Sequence, residues 1–239
     1  MLNPIKSLSE YMDWANHPIR KTQHVFFRGQ RYPWPLLPGI CRTDLSLPLV
    51  ERENKLLECF KREGGRSLHV EPGNDWDWLV VAQHHGLPTR LLDWTSSPKI
   101  ALWFALEKAR CIQDSHPVVW QLCPDAIDFV TENEKARPFD GTRTKLFETT
   151  FNIPRVRAQC GYFSLFKHDK KWKDGFVPLE DNRYLKQSMA MIRIEPEYAG
   201  KILHDLVREG INHHTIYPPT IDAIARLVRN KVLLGDHNG

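Results

Sequence analysis

The sequence predicts a single α+β domain, a mixed or antiparallel sheet with flanking helices. Candidate helices and strands do not alternate. A helix and a strand come first, then several helices, then mostly strands, then two helices, unlike the regular βαβ order of a doubly wound fold. A hydrophobic fraction of 41%, with 26% charged and 10% aromatic residues, is that of a globular chain rather than a disordered or collagen-like one. The length of 239 residues can bury a substantial core, and one domain over 1–239 is expected.

In SLSEYMDWA, Ser7 and Glu10 stand in capping-box spacing with Tyr11, Trp14 and Ala15 at helical intervals, so a short first helix is expected, ended by Asn16-His17-Pro18. HVFFRGQ has the β-branched and aromatic content of a strand and stops at Gly29, which puts Arg28 at a strand end. The prolines of YPWPLLPGICR call for an ordered, non-helical loop packed by Trp34, Leu36 and Leu37. A helix follows from about Leu49 to Arg62, with Leu56, Leu57 and Phe60 on one face and Gly64-Gly65 as its stop. The next runs from Asp75, as N-cap, to His85, with Gly86 after the C-cap and Pro88 beyond.

Ser96 or Ser97 can cap a further helix whose first position is Pro98, since proline lacks only an N–H that would be unsatisfied there. Apolar nearly all round from Ile100 to Leu106, this helix should be central. VVWQL (118–122), GYFSLF (161–166) and MAMIRIE (189–195) read as strands, the last with Ala190, Ile192 and Ile194 on one face. Residues 124–154 and 167–186 are polar and aperiodic. Glu197 to Gly210 reads as an amphipathic helix with Tyr198, Ile202, Leu206 and Val207 inward, and Thr220 can cap a last helix to about Arg229.

The net charge of +4 is too mild to demand a nucleic-acid or membrane partner, although it permits a local basic patch. Five widely spaced cysteines with no C-x-x-C pair suggest neither a disulfide framework nor a zinc knuckle, and reduced thiols in a cytoplasm are the simplest reading. The N-terminus lacks an apolar leader and no run approaches a membrane span, so a soluble, unprocessed, cytoplasmic protein without membrane association is expected. Oligomeric state is not legible. P-loop, Rossmann, α/β-hydrolase and zincin motifs are all missing from the sequence.

Several constellations carry candidate chemistry. Arg28 before Gly29 can present a guanidinium fork to a phosphate or carboxylate, with the missing Cβ admitting a close approach; equally, the pair fits a surface arginine beside a turn glycine. His84 and His85 at a helix C-terminus can be dipole-stabilised cations, structural residues or proton-transfer groups, and adjacent histidines on a helix are poor joint ligands, so no metal is expected. Thr89, Arg90, Asp93, Thr95, Ser96 and Ser97 put charge and hydroxyls between apolar helices. An Arg90–Asp93 pair would staple that loop, while hydroxyls and free N–H groups at the next helix start could form an anion or nucleotide pocket. Arg155, Arg157, Gln159 and Gly161 fit either a phosphate-lined groove or a solvated strand face. Lys167, Lys170, Lys171 and Lys173 fit an exposed loop.

FFRGQ, YPWPLLPGICR, QHHGLPTRLLDWTSSPKIALWFA, RVRAQCGYF and IYPPTIDAIARLV, in this order, make the chain resemble the FRG domain family, named for its Phe-Arg-Gly motif, over about residues 20–230. More distantly it looks like ADP-ribosyltransferases of the Arg-Ser-Glu type. That likeness implies an ADP-ribosyltransferase-like fold with NAD as substrate. Arg28 would hold its phosphates or ribose, and Thr95, Ser96 and Ser97 would form the hydroxyl turn. Gln159 echoes the Gln of a Gln-x-Glu pair, but Gly161 stands where the glutamate would be, so its work would pass to another group, such as Glu148 or Asp93, or would not be done. The likeness further implies a bacterial or phage-borne toxin or phage-defence effector with a protein or nucleic-acid acceptor.

The resulting expectation is a nucleotide pocket built by Arg28, Gly29, Arg90, Thr95, Ser96, Ser97 and Gln159, with His84, His85 and Asp93 as catalytic candidates. Two readings compete with an NAD-consuming transferase: a non-catalytic module binding a nucleotide or nucleic acid, and a hydrolase using the histidines and Asp93.

Overall fold

A computed structural model describes residues 3–42, 48–68, 70–108, 116–134, 138–169 and 175–219, together with Ile224 and Val228. Helix α1 (Leu8–Asn16) starts as its sequence predicts: the Ser7 hydroxyl accepts the Glu10 N–H, and Glu10 reaches back to the Lys6 N–H. Strand β1 (Phe26–Gln30) follows. The proline-rich loop after it buries Leu36, leaves Trp34 49% exposed, and ends in a 3-10 turn over Gly39–Arg42. Helix α2 (Leu49–Gly64) buries Leu57 but also two charged residues, Arg52 and Glu53.

Helix α3 (Asp75–His84) is capped by Asn74, not Asp75: the Asn74 side chain accepts the Asp77 N–H at 2.9 Å. It stops at Gly86, whose φ of +88° a side chain would disfavour. LLDWT, expected as part of a stapled turn, is strand β2 (Leu91–Thr95). Ser97 then caps helix α4 (Pro98–Leu106), with Pro98 at its start. Strand β3 (Val118–Leu122) matches its prediction, and β4 (Lys145–Phe147) lies inside the stretch read as aperiodic.

Pro154 opens a short helix α5 (Pro154–Ala158), which overturns the strand-face reading of Arg155 and Arg157. Strands β5 (Gly161–Leu165) and β6 (Met189–Arg193), helix α6 (Ala199–Arg208) and helix α7 (His213–Ile216) complete the order. In α6, Leu203 is buried where Val207 was expected, and Val207 is exposed. The helix expected from Thr220 to Arg229 lies outside the described residues, apart from Ile224 and Val228.

The six strands form one antiparallel sheet in the order β4-β5-β2-β1-β3-β6, an α+β fold. One face packs on helices. Phe27, Val119 and Ile192 meet α1, α4 and α6, while Leu91, Phe163 and Phe147 meet α2 and α3. The other face buries Phe26, Leu92, Trp94 and Leu122 under the loops that carry Leu36, Ile40, Phe176 and Leu185. No helix among the described residues is long and apolar enough to cross a membrane.

The sheet is not continuous at its centre. β2 pairs with β5 along its whole length, from Leu91 opposite Leu165 to Thr95 opposite Gly161, and β1 pairs with β3 just as fully. Between β1 and β2 only Phe27 stands opposite Thr95. Beyond that point the strands diverge, with α3 over one and α4 over the other.

Candidate functional site

A cavity of about 660 Å³ opens at this split. β1 supplies Arg28, Gly29 and Gln30, β2 supplies Asp93, Trp94 and Thr95, and α3 supplies Gln83 and His84. Arg31, Trp34 and Arg42 from the proline-rich loop close one side. Phe104 and Lys108 from α4 and its end, Arg155 and Gln159 from α5, and Tyr217 close the other.

Arg28 is anchored through one corner only. Its Nη1 donates to the Asp93 carbonyl at 2.8 Å, and the nearest Asp93 carboxylate oxygen lies 3.9 Å away. The Arg28 Nε is buried with no hydrogen-bond partner, a costly state for a guanidinium group. Burial pulls its pKa down, the Asp93 charge opposes that, and nearby Arg42 adds to it. An oxyanion entering beside Arg28 would meet an underused planar donor.

Gly29 has a different role from the one its sequence suggested. A Cβ on it would lie 1.8 Å from the Ala101 carbonyl oxygen and 2.6 Å from the Ala105 nitrogen, so the glycine admits helix α4 rather than a ligand. That contact seats Phe104 and Lys108 against the cavity.

Aromatic rings and cations interleave around the opening. Tyr32 and Trp34 lie 5.0 Å apart, with the Arg31 guanidinium 5.2 Å from the first ring and 5.6 Å from the second. Glu180 fixes their loop by accepting the Leu36 N–H at 3.1 Å. Across the cavity Arg155 lies 4.6 Å over the Tyr217 ring, and the Tyr217 hydroxyl donates to Glu107 at 3.3 Å. Burial, more than Glu107, raises the Tyr217 pKa.

His84 lines the cavity and His85 does not: His85 packs toward Phe60, 6.4 Å between ring centres. Burial holds the His84 pKa below its ordinary value, with His85 and Arg155 adding to the effect. Asp93 also lines the cavity, with Oδ1 accepting from Gln83 Nε2 at 2.8 Å and the Thr89 hydroxyl donating to the Gln83 amide oxygen.

The hydroxyl turn is spent on structure. Thr95 donates to the Gln159 carbonyl at 2.7 Å and accepts the Ser97 N–H at 3.0 Å, while the Ser97 hydroxyl caps α4. Gln159 turns its amide to the Ile216 carbonyl at 3.2 Å. Ser96 lines a separate groove of about 490 Å³ with Glu148, Cys160 and Tyr162. Glu148 therefore does not join Arg28, and Asp93 is the carboxylate in the main cavity. A glutamate at position 161 would require Val156 to shift, because its Cβ would meet Val156 Cγ1 at 2.9 Å and the Val156 carbonyl oxygen at 3.1 Å.

Arg90 corrects a second expectation. Instead of pairing with Asp93 it is buried against Glu53, donating from Nε at 2.7 Å and again from Nη2, between Phe139 and Phe176. It stands outside the cavity. Of the site residues expected from sequence, Arg28, Gly29, His84, Asp93, Thr95 and Gln159 come together; His85, Arg90, Ser96 and Ser97 do not line that cavity.

Sequence reasoning missed Arg31, Trp34, Arg42, Lys108 and Tyr217 as site residues. Trp34 and Tyr217 carried a signal, an aromatic ring held beside proline in YPWP and IYPP, which presents it stiffly. Comparison with curated proteins and with solved structures finds no match. Residues 23–113 match the family model of the FRG domain, and the matched segment supplies Arg28, Trp34, His84, Asp93 and Lys108 to the cleft.

Proposed function

We propose that the cleft at the sheet split binds a nucleotide, with NAD and ADP-ribose among its ligands. One observation carries the reading: Arg28, Arg31, Arg42, Lys108 and Arg155 surround a single cavity whose walls also include Trp34, Phe104 and Tyr217. Five cations against the single lining carboxylate of Asp93 favour phosphate, and rings beside arginines favour a flat base. Calorimetric titration with ADP, ADP-ribose and NAD is the test. Binding should weaken at least about tenfold in Arg28→Ala and in Arg155→Ala, a loss of about 1.4 kcal/mol for each. Failure of all three ligands to bind the folded wild-type protein overturns the reading.

A second reading, NAD consumption, is favoured by the Asp93 carboxylate, 60% exposed and adjacent to Arg28. In that reaction the ribose C1′–N bond breaks, neutral nicotinamide leaves with the bonding pair, and water attacks C1′ while Asp93 takes its proton. A protein or nucleic-acid hydroxyl in place of water would make the protein an ADP-ribosyltransferase. Depletion of NAD would suit a toxin or phage-defence effector. Nicotinamide release by wild-type protein, lost in Arg28→Ala, separates this reading from binding alone.

A further inference from the structure

Within a cationic cavity the Asp93 carboxylate is out of place, because it opposes the phosphate recognition that its neighbours favour. It is nevertheless held there. Gln83 donates to Oδ1 at 2.8 Å, and the amide is fixed in turn by the Thr89 hydroxyl, which reaches the Gln83 oxygen and so leaves Nε2 to point at Asp93. With Oδ1 engaged by α3, Oδ2 lies 3.9 Å from Arg28 Nη1, beyond hydrogen-bond reach. Arg28 gives that Nη1 to the Asp93 carbonyl instead, at 2.8 Å. No donor among the described residues completes Oδ2.

Two other acceptors in the cleft are committed elsewhere. The Thr95 hydroxyl bridges the Gln159 carbonyl and the Ser97 N–H, and the Gln30 amide oxygen accepts from Trp120 Nε1 at 3.0 Å. Asp93 is thus an oriented acceptor beside Arg28, in a cavity walled by both cations and aromatic rings. The part of a nucleotide that is uncharged, donates hydrogen bonds and lies between phosphate and base is the ribose.

We propose that Asp93 is the ribose-recognition residue of the cleft, its Oδ2 accepting a hydrogen bond from a ribose hydroxyl, and that the site therefore selects ribonucleotides over deoxynucleotides. This assignment rests on the nucleotide reading above. A ligand lacking the hydroxyl forfeits that hydrogen bond, and because the carboxylate is 60% exposed and water can take the vacant place, the discrimination is moderate.

The test compares ADP, 2′-deoxy-ADP, 3′-deoxy-ADP and inosine diphosphate on wild type, Asp93→Asn and Asp93→Ala, with folding checked by circular dichroism. At least one deoxy analogue should bind wild type about tenfold or more weakly than ADP. Asp93→Ala should lose that discrimination while holding the deoxy analogues as tightly as wild type or more so, because repulsion of phosphate is relieved; a damaged fold would weaken all ligands instead. If ADP binds and both deoxy analogues match it, the ribose assignment fails while the nucleotide reading stands. Discrimination that persists in Asp93→Ala also overturns the assignment. If Asp93→Ala instead erases a preference for ADP over inosine diphosphate, the carboxylate reads the base amine and the assignment is wrong. If no ligand binds wild type, both readings fall.

Discussion

Arg90 and Glu53 lie almost wholly out of water, at 3% and 2% side-chain exposure, with Phe139 and Phe176 against the guanidinium. A buried pair is weak evidence for net stability, but breaking it leaves a charge with no partner. Glu53→Gln should therefore cost about 3–5 kcal/mol of unfolding free energy, as removal of one partner of a buried pair does. The double variant Arg90→Met/Glu53→Leu should recover most of that loss; urea denaturation of the singles and the double measures it, and additive losses would refute it. Sequence spacing suggested Asp93 as the partner of Arg90. Side chains three positions apart along extended chain project to opposite sides, and β2 separates the two in that way. The true partner sits on α2, a contact that no local pattern announces. Arg28 was legible because FFRG carries its own strand signal, although β1 runs through Gly29 to Gln30 and so places Arg28 in mid-strand rather than at the expected end.

Helices with polar caps were legible for the same local reason. Ser7, Ser97 with Pro98, and Gly86 each satisfy or release a backbone group within a few residues, so their signals survive in sequence. β2 and β4 did not show because they carry polar residues, and β4 is only three residues long: Asp93 is exposed in β2, and Lys145 is buried in β4, bonded to the Ile127 and Phe129 carbonyls. Their strand character comes from pairing with β5 rather than from alternation. The packing of β1 on α4 is the firmest element-level constraint on the cleft. Gly29→Ala drives a methyl into the α4 backbone, so it should lower stability by about 1–3 kcal/mol or more. It should also weaken nucleotide binding by shifting Phe104 and Lys108. Gly73, with open space around its added Cβ, is the matched control; thermal unfolding of Gly29→Ala equal to that of Gly73→Ala would sink the argument.

At the scale of the molecule, a net charge of +4 is modest, yet the split sheet gathers cations from β1, the proline-rich loop, the end of α4 and α5 around one opening. That convergence was not legible, because it depends on the strand order β4-β5-β2-β1-β3-β6 and on where the central pairing stops. His84 reports on it. Burial, His85 and Arg155 disfavour its imidazolium, while Asp93, held by the neighbouring Gln83, is the nearest opposing charge in the lining. Its folded pKa lies below the unfolded value of about 6.5, so the folded state binds this proton less readily than the unfolded chain. The stability that neutral His84 permits is present above that value and is lost as pH falls through the window beneath it. A bound phosphate reverses the local preference by favouring the imidazolium. Lowering the pH from 8 to 6 should therefore lower the melting temperature of the free protein and tighten its binding of ADP-ribose, whose pyrophosphate does not titrate across that range. In His84→Gln both dependences should flatten. Melting curves and calorimetric titrations at the two pH values check the pair of signs; affinity that falls on acidification, or a slope unchanged in His84→Gln, would place the ligand phosphate away from α3.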